Sequence, residues 1–307
     1  MPHGQPTRPQ PKLCVLPRAL VLVMAMLSAP LVQRYLKGLG LLHAPRPTMT
    51  GLATLLRAHL ARIPYGNLDI HTGKPVSPLE PADALAERLL CGRGGYCFHL
   101  APPFCALLNS LGFDARIYPG QVVSHPGSPP EPASPNHAVV IVSSLADAPT
   151  QHILADVGIG DGPRNPVPLR PGVVKHEAPF VFGIERLDGG ASSWRFLHDA
   201  RGGFAHFDVS VEAPVSFEAF IEPHRQLSTL PESIFVQTFT VQRVDDGLIE
   251  KLVNRSFLRV TSAGTTKVVI ETERQFGSLL GETFELNVSD ADRGAIWRSV
   301  LDRERAG

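Results

Sequence analysis

The sequence predicts an α+β chain in three compact parts, and three patterns carry that reading. Roughly the first hundred residues place apolar side chains at helical intervals. From Ala115 onward, branched and aromatic residues fall in short runs divided by turn chemistry, which suggests a small antiparallel barrel or a strongly curved sheet. A second small sheet, followed by helical segments, closes the chain. At 307 residues there is room for one large domain or two to three small ones. Apolar residues make up 43% and charged residues 19%, which excludes a disordered or coiled-coil chain. The 29 basic side chains are cancelled by 29 acidic ones, so no electrostatic footprint of a nucleic-acid binder is present.

The N-terminal "PKLCVLPRALVLVMAMLSAP" has a basic flank and an apolar run from Ala19 to Leu27, like a signal-peptide core. It is too short and too proline-bounded to span a bilayer. Residues 1–30 are therefore read as a leader, either disordered or preceding a true start at Met24 or Met26, in preference to a secretion signal. A helix follows in "VQRYLKGLG", with Val32, Tyr35, Leu36 and Leu39 on one side and glycine at its end. The next, "TGLATLLRAHLARI", stripes Leu52, Leu55, Leu56, Leu60 and Ile63, has Thr48 or Thr50 as a cap and stops at Pro64. A third lies in "EPADALAERLL", and a fourth follows Gly94–Gly95 and ends at "NSLGF".

Strands are expected in "ARIYPGQVV", "HAVVIVSS" and "HILADVGIG", then in "APFVFGIERL", "WRFLHDA" and "FAHFDVSV". "SFEAFIEPHRQLSTLPES" is helical or irregular and leads into the expected strand "IFVQTFTVQRV", with Phe235, Phe239 and Val241 on one face. "RSFLRVTS" and "TTKVVIETE" complete the second sheet. The last stretch reads as two short helices around a loop, the second capped by Ser289 or Asp290. The parts divide as 31–112, 113–218 and 219–307. Four cysteines, Cys14, Cys91, Cys97 and Cys105, form no CxxC pair and no metal-like framework, so they are read as reduced thiols in a cytoplasmic protein, with Cys91 and Cys105 packed.

Cys97 is the exception to simple packing. Gly94 and Gly95 allow a sharp turn that sets a thiol at a helix start, where the partial positive charge of the helix end favours a thiolate. Such a nucleophile needs a base and a third group that orients the base. His137 opens the strand "NHAVVIV" after a long proline-rich loop, so its ring can point into a cleft, although His99, His125 and His152 compete with it. Asp156 lies among apolar residues in the expected next strand, and a carboxylate there is costly unless it is paired. Adjacent antiparallel strands would bring the two within hydrogen-bond reach.

The segments "RGGYCF", "NHAVVIV" and "ADVGIGD" resemble the three signature segments of the arylamine N-acetyltransferases. "AHLARIPYGNLDI" and "STLPESIFVQTFTVQR" resemble two further blocks of that family, in the same order, so the likeness runs from about Leu31 to the C-terminus. The resemblance implies an N-terminal helical domain, a central β-barrel and a C-terminal α/β lid, with a core arranged as in papain-like enzymes. It also implies that Cys97 accepts the acetyl group, His137 is the base and Asp156 orients it. Acetyl-CoA would be the donor, an arylamine or hydrazine the acceptor, and neither metal, nucleic acid nor membrane would take part. In this likeness Ile159 lines the acceptor pocket, Ser233 contacts acceptor or coenzyme A, and the backbone N–H of Tyr96 or Cys97 holds the oxyanion.

Two departures stand out. Gly66 occupies a slot where the family usually has glutamate, so Arg93 either lacks an acidic partner or finds it in Asp69. Ala101, Pro102 and Pro103 follow "CFHL" where the family has small polar residues. With proline there, the helix either starts late, near Pro102, or has a distorted first turn. Alternative readings are an amide synthase of the same fold acting on a polyketide acyl thioester and a degenerate, binding-only member. A thiol hydrolase is disfavoured because such families lack the third block and the lid.

Overall fold

The computed structural model describes residues 25–125, 133–187 and 192–306. In chain order the helices are α1 (Ala29–Gly38), α2 (Met49–Arg62), α3 (Ala82–Leu90), α4 (Cys97–Ser110), α5 (Ile221–Thr229), α6 (Ile234–Gln237), α7 (Glu273–Ser278) and α8 (Asp290–Ala306). The strands are β1 (Tyr65–Gly66), β2 (Asp114–Val123), β3 (His137–Ser143), β4 (Ile153–Leu154), β5 (Val167–Pro168), β6 (Val173–Glu177), β7 (Phe180–Arg186), β8 (Ser193–Leu197) and β9 (His206–Ser210). They continue with β10 (Thr240–Asp245), β11 (Leu248–Val253), β12 (Ser256–Thr261) and β13 (Gly264–Val269). The architecture is α+β: a helical part, a barrel-like antiparallel sheet and a C-terminal α/β unit. Among the described residues no helix is long and apolar enough to cross a membrane.

The helical part forms for the reasons its spacing gave. Thr48 caps α2 by accepting the Gly51 N–H at 3.2 Å, and Leu52, Leu55, Leu56 and Leu60 are buried along one stripe. Most of the expected leader lies outside the described residues. Its last stretch is packed: Leu27 is buried and its N–H donates to Ser110 Oγ at 2.8 Å.

The eight-stranded sheet runs β5-β4-β3-β2-β9-β8-β7-β6, with every neighbour antiparallel. One apolar cluster joins its inner face to α1–α4, so the helical part and the sheet share a core. A second cluster, around Phe239, Phe276, Phe284 and Trp297, lies under the five-stranded sheet β1-β10-β11-β12-β13. The first strand of that sheet comes from the helical part: Tyr65 pairs with Gln242 and Gly66 with Val241.

Four details depart from expectation. Helix α4 neither starts late nor breaks at its prolines. It begins at Cys97, with Tyr96 O accepting both the His99 and Leu100 N–H groups, and continues through Pro102 and Pro103. The two ring nitrogens deprive the Phe98 and His99 carbonyls of helical donors. Burial of every residue from Cys97 to Asn109 supplies the compensating apolar packing. Second, the strand expected through Asp156 is only Ile153–Leu154, so Asp156 stands on the loop just beyond it. Third, "IFVQTFTVQRV" divides into the helical turn α6 and strand β10, which removes Phe235 from the face shared by Phe239 and Val241. Fourth, Cys91 is exposed at the end of α3, whereas Cys105 is buried as expected. At the C-terminus α7 and α8 form as expected, with Ser289 Oγ accepting the Asp292 N–H at 3.1 Å.

Candidate active site

The turn before α4 needs both of its glycines. Gly94 has φ +60°, and a Cβ there would lie 2.7 Å from the Pro64 carbonyl oxygen. A Cβ on Gly95 would lie 2.4 Å from His99 Cβ. Tyr96, in extended backbone, is the N-cap residue and Cys97 the first residue of the helix. The Cys97 and Phe98 N–H groups therefore have no acceptor within the helix and point outward with the positive end of its dipole.

The structure brings Cys97, His137 and Asp156 together. Each is only 2% exposed. The Cys97 thiol faces the Asn136 carbonyl oxygen at 3.9 Å. His137 begins β3, and its Nε2–H donates to Asp156 Oδ2 at 2.7 Å, which leaves Nδ1 as the nitrogen for the sulfur. The other carboxylate oxygen, Oδ1, accepts the Gly158 N–H at 2.7 Å, so the loop itself fixes the acid. Burial opposes a charge on the imidazole, but the Asp156 carboxylate and the Cys97 sulfur outweigh it and raise the His137 pKa to about 10. A ring in that state holds a proton at neutral pH while remaining tied to its carboxylate.

Cys97 and His137 open onto a cavity of about 360 Å³, lined also by Tyr65, Asn136, Ile159, Phe204, Phe235, Gln242 and Lys251. A larger cleft of about 940 Å³, between α1, α3, α4 and residues 215–218, contains none of Cys97, His137 and Asp156. Of the two, the smaller cavity is the candidate for chemistry at Cys97, because only its wall includes that residue.

The other expected contacts divide. Ile159 lines the cavity. Ser233 does not: it is fully buried, its Oγ donates to the Leu227 carbonyl at 2.7 Å and accepts the Phe235 N–H at 3.2 Å, and so it caps α6. The Tyr96 side chain also lies outside the cavity lining. Because His224 Nε2 donates to the Ser77 carbonyl at 2.9 Å, its Nδ1 accepts the Tyr96 hydroxyl proton at 2.6 Å. Of the competing histidines, His99 packs edge-on against Tyr96, and His152 bonds Ser143 Oγ at 2.8 Å. Asp69 takes the place of the missing glutamate, binding Arg93 at 2.7 Å and Arg88 at 2.6 Å.

Sequence reasoning missed Asn136. Its Oδ1 accepts the Val122 N–H at 2.6 Å and its Nδ2 donates to the Val122 carbonyl at 3.0 Å, clamping the residue before His137 to the end of β2. An asparagine between a proline and a strand was the available signal. Gly158 is the second. A Cβ there would sit 2.7 Å from both Cα and Cβ of Cys97. Gly158→Ala is expected to displace the sulfur from His137 and lower kcat/KM on the order of 100-fold. Steady-state kinetics alongside a thermal melt check this, and an unchanged kcat/KM would overturn it.

The arrangement can generate a thiolate beside an imidazolium, with helix-end N–H groups next to it, which suits covalent acyl chemistry. Comparison with known proteins gives the family. The profile of an N-acetyltransferase family matches residues 48–293. The chain is 29% identical over 265 residues to an arylamine N-acetyltransferase of Mycobacterium tuberculosis, covering 82% of this chain and 88% of the relative. It is similar to the solved arylamine N-acetyltransferase of Nocardia farcinica, with a TM-score of 0.77, 27% identity and coverage of 88% and 95%. The Mycobacterium marinum arylamine N-acetyltransferase in complex with CoA gives a TM-score of 0.76 and 27% identity, covering 88% of this chain and 98% of that one.

Proposed function

Since the chain belongs to the arylamine N-acetyltransferase family and is an acyltransferase, we propose that it carries an acetyl group from acetyl-CoA to an arylamine or hydrazine through a thioester on Cys97. The observation that carries this reading is the single imidazole shared between the Cys97 sulfur and the Asp156 carboxylate.

In the first half, the Cys97 thiolate, whose proton His137 already holds on Nδ1, attacks the thioester carbonyl. The N–H of Cys97 or Tyr96 holds the developing oxyanion. The tetrahedral adduct collapses with loss of the coenzyme A thiolate, which receives the proton from His137. In the second half the amine attacks the acyl-sulfur bond, His137 takes its proton and the Cys97 thiolate leaves. Asp156 keeps the ring oriented throughout. A cavity of about 360 Å³ with one thiol at its wall suits two substrates that take turns, hence a ping-pong order. The described cysteines are all free, which fits a reducing cytoplasm.

Intact mass measurement after incubation with acetyl-CoA tests the proposal. The expected result is a single acetyl adduct, discharged when an arylamine or hydrazine is added. No adduct in a folded protein would overturn it and favour a binding-only member. An adduct formed only from long acyl thioesters would favour an amide synthase.

A further inference from the structure

Three strands of the second sheet each place one side chain on the wall of the reactive cavity, at paired positions. Tyr65 on β1 faces Gln242 on β10, and Gln242 faces Lys251 on β11. All three line the cavity that contains Cys97 and His137. Paired residues on adjacent antiparallel strands share a face, so these side chains form a continuous polar row spanning two inter-strand steps, about 10 Å. The Tyr65 end feels the nucleophile: burial, and next the Cys97 charge, hold its phenol well above the usual range. The Lys251 end lies at the opposite side of the row.

Two members of the row have hydrogen-bonding capacity in reserve. Among the described residues Gln242 Oε1 is buried without a partner, while its Nε2 donates to Thr240 Oγ1 at 3.3 Å. Lys251 is only 8% exposed, yet among the described residues its ammonium has one acceptor, Asp161. Asp161 is also met by His198 Nε2 at 3.0 Å and by the Gly203 N–H at 2.9 Å. Its negative charge is thus shared among three donors, although Asp161 lines the same cavity. The Lys251 ammonium, which also lies 5.5 Å from the Phe180 ring centroid, keeps N–H capacity beyond its bond to Asp161. A buried ammonium with unused donors is costly unless a ligand or water takes them.

We propose that the Lys251 end of this row is a carboxylate subsite, which takes a small substrate whose reactive end meets Cys97 and whose other end carries an anion. The orientation rests on acyl transfer at Cys97. The carboxylate itself has two sources: a ring substituent on the acceptor amine, or the free end of a dicarboxylic acyl group on the donor thioester. In the first case Gln242 Oε1 is placed to accept an N–H from the amine.

The experiment has two arms. In the acceptor arm, calorimetry on the full chain compares benzoate with its neutral isostere benzamide, and turnover compares 4-aminobenzoate with 4-aminobenzamide. In the acyl arm, intact mass follows modification of Cys97 by malonyl-CoA and by acetyl-CoA. At least a tenfold preference for the anionic member is expected in one arm, and that arm identifies the source. Lys251→Met is expected to reduce the preference ratio at least tenfold, and Lys251→Arg to retain most of it. Equal treatment of anionic and neutral probes by the wild-type protein in both arms would overturn the subsite, even if Lys251→Met fails to fold. A preference that survives in Lys251→Met would do the same. Failure of the acyl-transfer reading shows differently: no thioester modifies Cys97, while benzoate binding, which needs no chemistry, still reports on Lys251.

Discussion

Cys97→Ala protein is expected to form no acetyl adduct with acetyl-CoA and to lose acyl transfer by roughly four orders of magnitude or more. The size follows from the role assigned to the sulfur: without it the thioester intermediate cannot form, and His137 and Asp156 have no nucleophile to serve. Nucleophile deletions in comparable relays have effects of that order. The substitution removes one sulfur from a small buried side chain, so the helix it begins should remain folded, and a thermal melt provides the control. Thiol labelling separates the roles of the cysteines. Cys91 is exposed and will react in both proteins, whereas burial raises the Cys105 thiol to about 12 and keeps it inert. Loss of one modified site, Cys97, together with the adduct is the expected pattern. Acetyl transfer that persists in Cys97→Ala would exclude the thioester route.

The second large effect is expected from Asp156→Asn. Substitution of the orienting acid by its amide lowers the rate about 10⁴-fold in a comparable relay, because the ring is left in the wrong tautomer. Here the amide would keep the shape of the loop, with a carbonyl oxygen still able to accept the Gly158 N–H, and remove the charge that holds the imidazolium. Iodoacetamide labelling of Cys97 at neutral pH should slow accordingly. Labelling at the wild-type rate would mean that Asp156 has been misassigned.

The same substitution changes how stability depends on pH. His137 is raised to about 10 in the folded chain, against its unperturbed value of about 6.5. A raised histidine adds stability that is fully present below about pH 6.5 and is lost as pH climbs toward 10. At about 1.4 kcal/mol per unit the ceiling is ~5 kcal/mol, shared with the Asp156 and Cys97 charges that produce the shift. Urea unfolding should show the wild-type chain losing more stability than Asp156→Asn between pH 7 and 9.5. Parallel losses in the two proteins would remove His137 from that role.

Much of the candidate site was legible because its chemistry lies in short segments. The glycine pair before Cys97, the histidine opening a strand and the acid among apolar residues are local signals. Cys97 and His137 lie where their segments suggested, and Asp156 lies just beyond its strand, on the following loop. Asp69 as the partner of Arg93 was one of two readings, and the ion pairs select it. Ser233 was a positional analogy, and the local cap it makes was visible only once the backbone was in place. The helix through Pro102 and Pro103 went against a sound local rule, because that rule prices the missing hydrogen bonds and does not see the burial around them.

The sequence by itself determined the α+β class, most of the helices and strands, and the three candidate residues Cys97, His137 and Asp156. Each of these is written in periodicity, turn chemistry or residue type within a dozen or so neighbours. Tertiary structure alone decided that β1, from the helical part, pairs with β10 and so lines up Tyr65, Gln242 and Lys251 along the wall of the cavity that Cys97 also lines. Strand periodicity tells which side chains face inward. The register between distant strands is set by packing and backbone hydrogen bonds that no local pattern encodes.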